Sequence, residues 1–317
     1  MNTLTTPVDA DVKSFTAAPD PLLLTQGESL RFEWVRPSFG PKPNRFCRPV
    51  NWQMFEGAVL AVTVTTPQKH QICGSAVLVA PGIALSVNHV LEDHLDDLRT
   101  GRISILCIGI ASHGAQAWQV KYLTCIDRTD LCFLSLELLS ELPPSRVLYH
   151  MAITTRVPLP GEALIMAGFR AGETAFPRAE AGADELAMSL FSSSGVVTDE
   201  YPTGRGALRP WPAVGVDAPP ISGMSGGPVF DARGFLVGVI SSSIENEKGQ
   251  DPVPTFVAVP WPALGQPFPV RWPLLPNKYR SRSLLELAGT ACVIERPEAV
   301  RVSMHDGRTT MEYAAWQ

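Results

Sequence analysis

The chain has 317 residues, 45% of them hydrophobic and 18% charged, with a net charge of −5. That length buries a large core and can hold two domains, and the balance is too apolar for a disordered polypeptide. The acidic total, without a cluster of Lys and Arg, excludes a phosphate-tracking nucleic-acid surface.

The first residues, 1–11, carry neither a basic nor an apolar leader segment, so no secretory signal is expected. Residues 1–50 are Pro-rich and irregular, an extension to whatever core follows. Strands are then predicted over 58–64, 71–79, 83–86, 103–110, 118–125 and 131–136, from short apolar or alternating runs between Gly and Pro punctuation. Residues 89–98 read as one or two helical turns within this series.

A polar Pro-Pro stretch at 141–145 divides the chain, and further strands are predicted over 163–168, 186–198, 227–230, 236–241 and 255–259. Residues 171–185 and 202–220 read as long surface loops. A short helix is expected over 281–292, and a hairpin over 301–313 around Asp306-Gly307. The expectation is an all-β fold, divided into an extension (1–50), two strand-rich halves (51–145 and 146–265) and a C-terminal extension (266–317).

The longest apolar runs, such as 103–110, fall short of the roughly 20 residues of a membrane helix, so no membrane association is expected. Six cysteines (Cys47, Cys73, Cys107, Cys125, Cys132, Cys292) are scattered in mostly apolar runs and read as buried free thiols of a reduced, cytoplasmic compartment. With no Cys-x-x-Cys pair and no histidine pair at helical spacing, neither a metal nor a cofactor is expected.

The chemistry concentrates in Ser222-Gly223-Met224-Ser225-Gly226-Gly227-Pro228, a small-residue turn that presents Ser225. Serine needs a base and donors for the developing oxyanion, and flanking glycines let backbone N–H groups approach that oxygen. Read alone, the segment is equally a surface turn before a strand. Its Gly223-Met224-Ser225-Gly226-Gly227 pentapeptide also spells the nucleophile elbow of α/β-hydrolases, but the elbow needs a helix after the serine and a histidine downstream. Here Pro228 and β-formers follow, and the downstream His305 sits in the predicted hairpin.

Upstream, residues 73–90 spell a strand, a Pro81-Gly82 turn, a second strand and then His89. By itself His89 is an ordinary loop imidazole; at the end of a hairpin it would be held as rigidly as a general base requires. Asp130 ends a polar loop and opens the apolar run Leu131-Cys132-Phe133-Leu134. Alone it reads as a turn cap, but a partly buried carboxylate there would orient an imidazole.

Together the three segments resemble the trypsin/chymotrypsin-like serine proteases, above all the disulfide-free bacterial, HtrA-type branch. There a Gly-Ser-x-(apolar)-Pro-Gly-(apolar) hairpin precedes the histidine, Asp-Leu-x-x-Leu opens the acid's strand, and Gly-x-Ser-Gly-Gly-Pro holds the nucleophile. The resemblance covers residues 55–265 and implies two six-stranded antiparallel barrels with His89 as base, Asp130 as its orienter and Ser225 as nucleophile. It also implies an oxyanion hole from the backbone N–H groups of Gly223 and Ser225, and Ser241 as a substrate-binding serine on a strand that pairs with an extended peptide.

The chain departs from that family at several positions. Met224 stands where activated zymogens carry an acid, Asn88 where alanine is common, and Val90 where secreted members carry a cysteine bonded to the one at Cys73. Pro219 replaces the aspartate of enzymes that cut after Lys or Arg, and Ile240 the histidine of glutamate-specific ones. An uncharged residue before the scissile bond is therefore expected, in a pocket near Pro219, Pro220, Ser241, Ser243 and Thr255.

The function expected is a serine endopeptidase acting on protein or peptide substrates through an acyl-enzyme. The alternative is a catalytically silent trypsin-fold scaffold that binds peptides. The two extensions read either as covers for barrel edges or as gates of the cleft that dock a regulatory protein partner.

Overall fold

The computed structural model describes residues 14–16, 31–39, 48–49, 52–67, 69–170, 176–177, 189–206, 209–218, 223–242, 255–272, 281–305 and 308–314. Six strands, Val59–Thr65, Lys69–Ala80, Ile83–Val87, Ser104–Ala111, Gly114–Cys125 and Leu131–Leu138, form the first antiparallel sheet. Ile83–Val87 pairs with both Lys69–Ala80 and Leu131–Leu138, which closes the sheet into a barrel. Closure removes the edges and puts one face of every strand in the interior.

The burial pattern follows from that geometry. Ser104–Ala111 alternates between half-buried and buried residues, whereas Leu131–Leu138 is buried almost throughout, because its outer face is covered as well. Part of the cover comes from the C-terminal segment: Phe268 packs 4.7 Å from Phe133 and Trp272 packs 5.2 Å from Trp118, centroid to centroid. Phe32, from the N-terminal segment, meets the same Trp272 ring edge-on.

The second barrel closes in the same way. In sheet order it runs Pro228–Phe230, Ala163–Phe169, Leu190–Tyr201, Ala213–Asp217, Thr255–Ala258 and Leu236–Ser242, and the last pairs with the first. Ala213–Asp217 corrects the expectation of a loop over 202–220. Its Val214 and Val216 are fully buried between two neighbouring strands, a placement that the surrounding Pro and Gly residues conceal in the sequence.

The N-terminal segment is also less irregular than expected. Arg31–Val35 lies parallel to Val147–Met151, itself absent from the predicted strands, with Trp34 opposite His150. At the other end only Leu284–Leu287 is helical, one turn started by a capping box between Ser283 and Glu286, so the helix expected over 281–292 is shorter. The strands Val300–His305 and Arg308–Tyr313 pair as the expected hairpin, while its Asp306-Gly307 tip lies outside the described residues.

Ile294–Glu295 adds a parallel strand beside Ile153–Thr154, and Glu295 pairs with Arg233, which also holds the buried Asp231. The described parts of both extensions thus cover the barrels. No helix among the described residues is long and apolar enough to cross a membrane.

Candidate active site

Three segments converge where the barrels meet. His89 sits in the single 3-10 turn Asn88–Val90 that follows Ile83–Val87, and Asp130 ends the tight loop before Leu131–Leu138. Those two strands are neighbours in the ladder, with Val87 opposite Leu131, so the residues that follow one and precede the other are adjacent.

His89 Nδ1 lies 2.8 Å from Asp130 Oδ2, and the backbone N–H of His89 donates to Asp130 Oδ1 at 3.2 Å. The Asp130 side chain is only 6% exposed, while that of His89 is 40% exposed. Such burial would cost a carboxylate several kcal/mol if it were unpaired. A third donor, the buried hydroxyl of Ser241, reaches Oδ2 at 2.6 Å from the second barrel. Ser241 therefore turns its side chain to the acid, and what its position leaves for a peptide is the backbone of its strand. The sequence alone did not reveal this link, because nothing local ties residue 241 to residue 130.

Asn88 now has a structural role. Its backbone N–H donates to the Asp130 carbonyl at 2.6 Å and its side-chain amide to the Thr129 carbonyl at 3.0 Å. An alanine there keeps the first bond and lacks the second, so this chain clamps the acid's loop more firmly.

Ser225 lies half-buried on a turn in which Gly223 (φ 92°) and Gly226 (φ 81°) are left-handed. A strand, Pro228–Phe230, follows it, which rules out the hydrolase elbow. The turn is fixed from both sides: Ser75 N–H donates to the Ser225 carbonyl at 2.7 Å, and Gly226 N–H donates to the Ile240 carbonyl at 2.7 Å. A Cβ on Gly74 would sit 2.6 Å from Val90 and 3.0 Å from the Ser225 carbonyl, so the residue after His89 and the serine's own backbone flank this one glycine.

Among the described residues no hydrogen bond joins the Ser225 hydroxyl to the His89 ring, and neither the Gly223 nor the Ser225 N–H has an acceptor. Met224 is buried at 1% exposure, an apolar anchor where zymogens carry an acid. Pro219, Pro220 and Ser243 lie outside the described residues. Thr255, expected beside them, is buried and donates its hydroxyl to the Ala218 carbonyl at 2.8 Å.

The cysteines divide by position. Cys107, Cys132 and Cys292 are buried and Cys73 half-buried, all as free thiols, and burial pushes the Cys73 and Cys292 thiols up to about 12. Cys125 is exposed, which corrects the expectation for that residue; Cys47 lies outside the described residues. No group of three or more His, Cys, Asp or Glu side chains suited to a metal occurs among the described residues.

Residues 74–239 match the model of the trypsin-like peptidase domain family. The chain belongs to that family. Solved structures similar to it include Deg5 (18% identity, covering 64% of this chain and 84% of that one, TM-score 0.43). The MamO protease domain from Magnetospirillum magneticum is also similar (20% identity, 65% and 93% covered, TM-score 0.42). So is the HtrA-type protease AlgW with a tripeptide (20% identity, 64% and 56% covered, TM-score 0.40). No curated protein sequence matched.

Proposed function

We propose that this trypsin-like domain is a serine endopeptidase that hydrolyses peptide bonds through an acyl-enzyme. The observation that carries the reading is the bond from His89 to the buried, three-donor carboxylate of Asp130, with the other edge of an accessible imidazole left for chemistry. Asp130 holds the proton on Nδ1, so Nε2 is the basic nitrogen, and it stabilises the imidazolium that forms when His89 takes the Ser225 proton.

Ser225 Oγ then attacks the peptide carbonyl, and the N–H groups of Gly223 and Ser225 receive the oxyanion. His89 returns its proton to the leaving amine. Water repeats the sequence and frees the acid product and the serine. An extended peptide aligns by backbone pairing at the Ser241–Ser242 end of the Leu236–Ser242 strand, beyond the stretch that pairs with Pro228–Phe230. Free thiols at the described cysteines fit a cytoplasmic enzyme, and Met224 fits activation without a charged N-terminal anchor.

Labelling by a fluorophosphonate probe tests the reading: Ser225-dependent labelling, lost in Ser225→Ala, is expected. One observation favours a silent peptide-binding scaffold instead, namely the absence of a bond between Ser225 and His89. No labelling of the wild type, with or without added peptide, would select that alternative.

A further inference from the structure

Two thiols stand opposite each other at the rim of the cleft. Cys125 ends the strand Gly114–Cys125, Cys132 is the second residue of Leu131–Leu138, and the register of these antiparallel strands pairs the two directly. The Ile126 N–H donates to the Leu131 carbonyl at 2.9 Å, immediately outside that pair. In an antiparallel ladder this makes Cys125 and Cys132 a non-hydrogen-bonded pair, with both side chains on one face and Cα atoms about 4.5 Å apart. A disulfide spans Cα separations of about 4.4–6.8 Å, so a bridge needs no rearrangement of the strands.

The two thiols are suited to different roles. Cys125 is exposed and lines the space beside His89, together with Asn88, Glu92 and Thr129. Cys132 is fully buried, two residues after Asp130. A dissolved oxidant therefore meets Cys125, and Cys132 is placed to resolve the product. Burial, opposed by Arg99 and reinforced by Glu92, holds the Cys125 thiol above its ordinary range, so its position beside a second thiol, and not unusual acidity, marks it. Burial, then the nearby Cys125 and Asp130, raise the Cys132 thiol further, so it reacts only with a sulfur already activated. Cys107 also lies near Cys132, but its strand Ser104–Ala111 pairs with Val59–Thr65 and Gly114–Cys125, not with Leu131–Leu138.

We propose that Cys125 and Cys132 form an oxidisable dithiol, a modification site for hydrogen peroxide, whose disulfide ties together the two strands flanking the loop that presents Asp130. The Cys125 thiolate attacks one peroxide oxygen and the O–O bond breaks. The departing hydroxide takes up the proton that the thiol released and becomes water, and Cys125 is left as a sulfenic acid. The Cys132 sulfur then displaces the sulfenic hydroxyl: the S–S bond forms, the S–O bond breaks, and the hydroxyl leaves as a second water with the Cys132 proton. The two thiols are oxidised and the peroxide is reduced; a thiol reductant restores them by exchange. The bridge closes a ring over residues 125–132 and draws the Cys125 sulfur away from the cleft wall. This site does not depend on the endopeptidase reading.

The test treats the reduced, native full chain with hydrogen peroxide, alkylates the remaining thiols in denaturant and maps a tryptic digest without reductant. Cleavage after Lys121, Arg128 and Arg146 puts the two cysteines in separate peptides, 122–128 and 129–146. The bridge is expected as these two peptides joined, lighter than their sum by two hydrogens and separated by dithiothreitol. Cys125→Ser, a change at an exposed position, should give no joined peptide and leave Cys132 free for alkylation. Cys132→Ala should leave Cys125 as a sulfenic acid that dimedone labels. Amide hydrogen exchange over 126–131 should slow when wild type is bridged. Cys125 further oxidised or bridged between molecules without the joined peptide, a bridge from Cys132 to Cys107, or two unchanged thiols overturns the proposal. A bridged protein whose 126–131 amides exchange as fast as in the reduced form overturns the tie on the Asp130 loop.

Discussion

The hydroxyl of Ser75, in the first barrel, donates to the carbonyl of Gly223, in the second, at 3.0 Å. The same oxygen accepts the backbone N–H of Phe169 at 2.8 Å, and the Ser75 N–H holds the Ser225 carbonyl. One side chain thus anchors the Gly223–Met224 peptide unit, which adjoins the Gly223 N–H proposed as an oxyanion donor.

Ser75→Ala removes that bridge and strands the buried Phe169 N–H. The expected cost is about 1–3 kcal/mol in urea unfolding, with a further loss of fluorophosphonate labelling rate at temperatures where the variant is fully folded. A labelling rate equal to wild type would show that the Gly223 peptide is held by something else.

Asp130→Asn keeps the shape of the site but lets the amide face His89 with the wrong partner, favouring the wrong imidazole tautomer. A fall in kcat of about four orders of magnitude on any cleaved peptide is expected, with little change in the circular dichroism spectrum. A fall of less than tenfold would remove Asp130 from the mechanism.

Gly226→Ala places a Cβ against the Ser75 carbonyl and the Ser86 hydroxyl, at a left-handed φ. Neither neighbour can retreat, because both belong to the first barrel's closing strands. The variant should lose about 2 kcal/mol or more of stability together with its activity. A melting temperature within a degree or so of wild type would contradict the close packing.

His150 is buried in the sheet against Arg31–Val35, with its pKa lowered to about 4 by desolvation, partly offset by its bond to the Met151 carbonyl. The unfolded chain therefore binds a proton there between about pH 6.5 and 4 that the folded protein refuses. This contribution to stability is intact above pH 6.5 and is lost as pH falls toward 4, by at most about 3 kcal/mol. Urea titrations at pH 7.5, 5.5 and 4.5 should show His150→Gln losing less stability than wild type over this span; parallel profiles would refute the assignment.

Trp272 is 1% exposed and meets both Trp118 and Phe32. Trp272→Ala should cost about 3–5 kcal/mol, measured by denaturant unfolding, because the C-terminal segment is part of the first barrel's core. A loss below about 1 kcal/mol would make that segment a detachable cover.

Legibility in the sequence followed the range of the forces involved. Lys69–Ala80 and Ile83–Val87 were readable because their apolar runs and the Pro81-Gly82 turn are local signals. Ala213–Asp217 was not, since its pattern is short and lies among Pro and Gly, and only its two neighbouring strands make it a strand. Arg31–Val35 depends on a partner more than a hundred residues away. The short helix at Leu284 was overextended because leucine spacing continues past the point where the chain turns back to pair Ala288 with Cys292.

By itself the sequence determined the all-β class, the order of His89, Asp130 and Ser225, and the glycines that frame the serine, because strand patterning, turn chemistry and motif spacing are written in neighbouring residues. The tertiary structure decided that Ser241 serves Asp130, that Asn88 clamps the acid's loop, that Ser75 joins the two barrels and that Cys125 stands opposite Cys132 beside the cleft. Each of these joins residues far apart in the chain, apart from the hairpin that pairs the two cysteines. Closing two barrels against each other brings such groups within bonding distance, and no local pattern encodes which of them will meet.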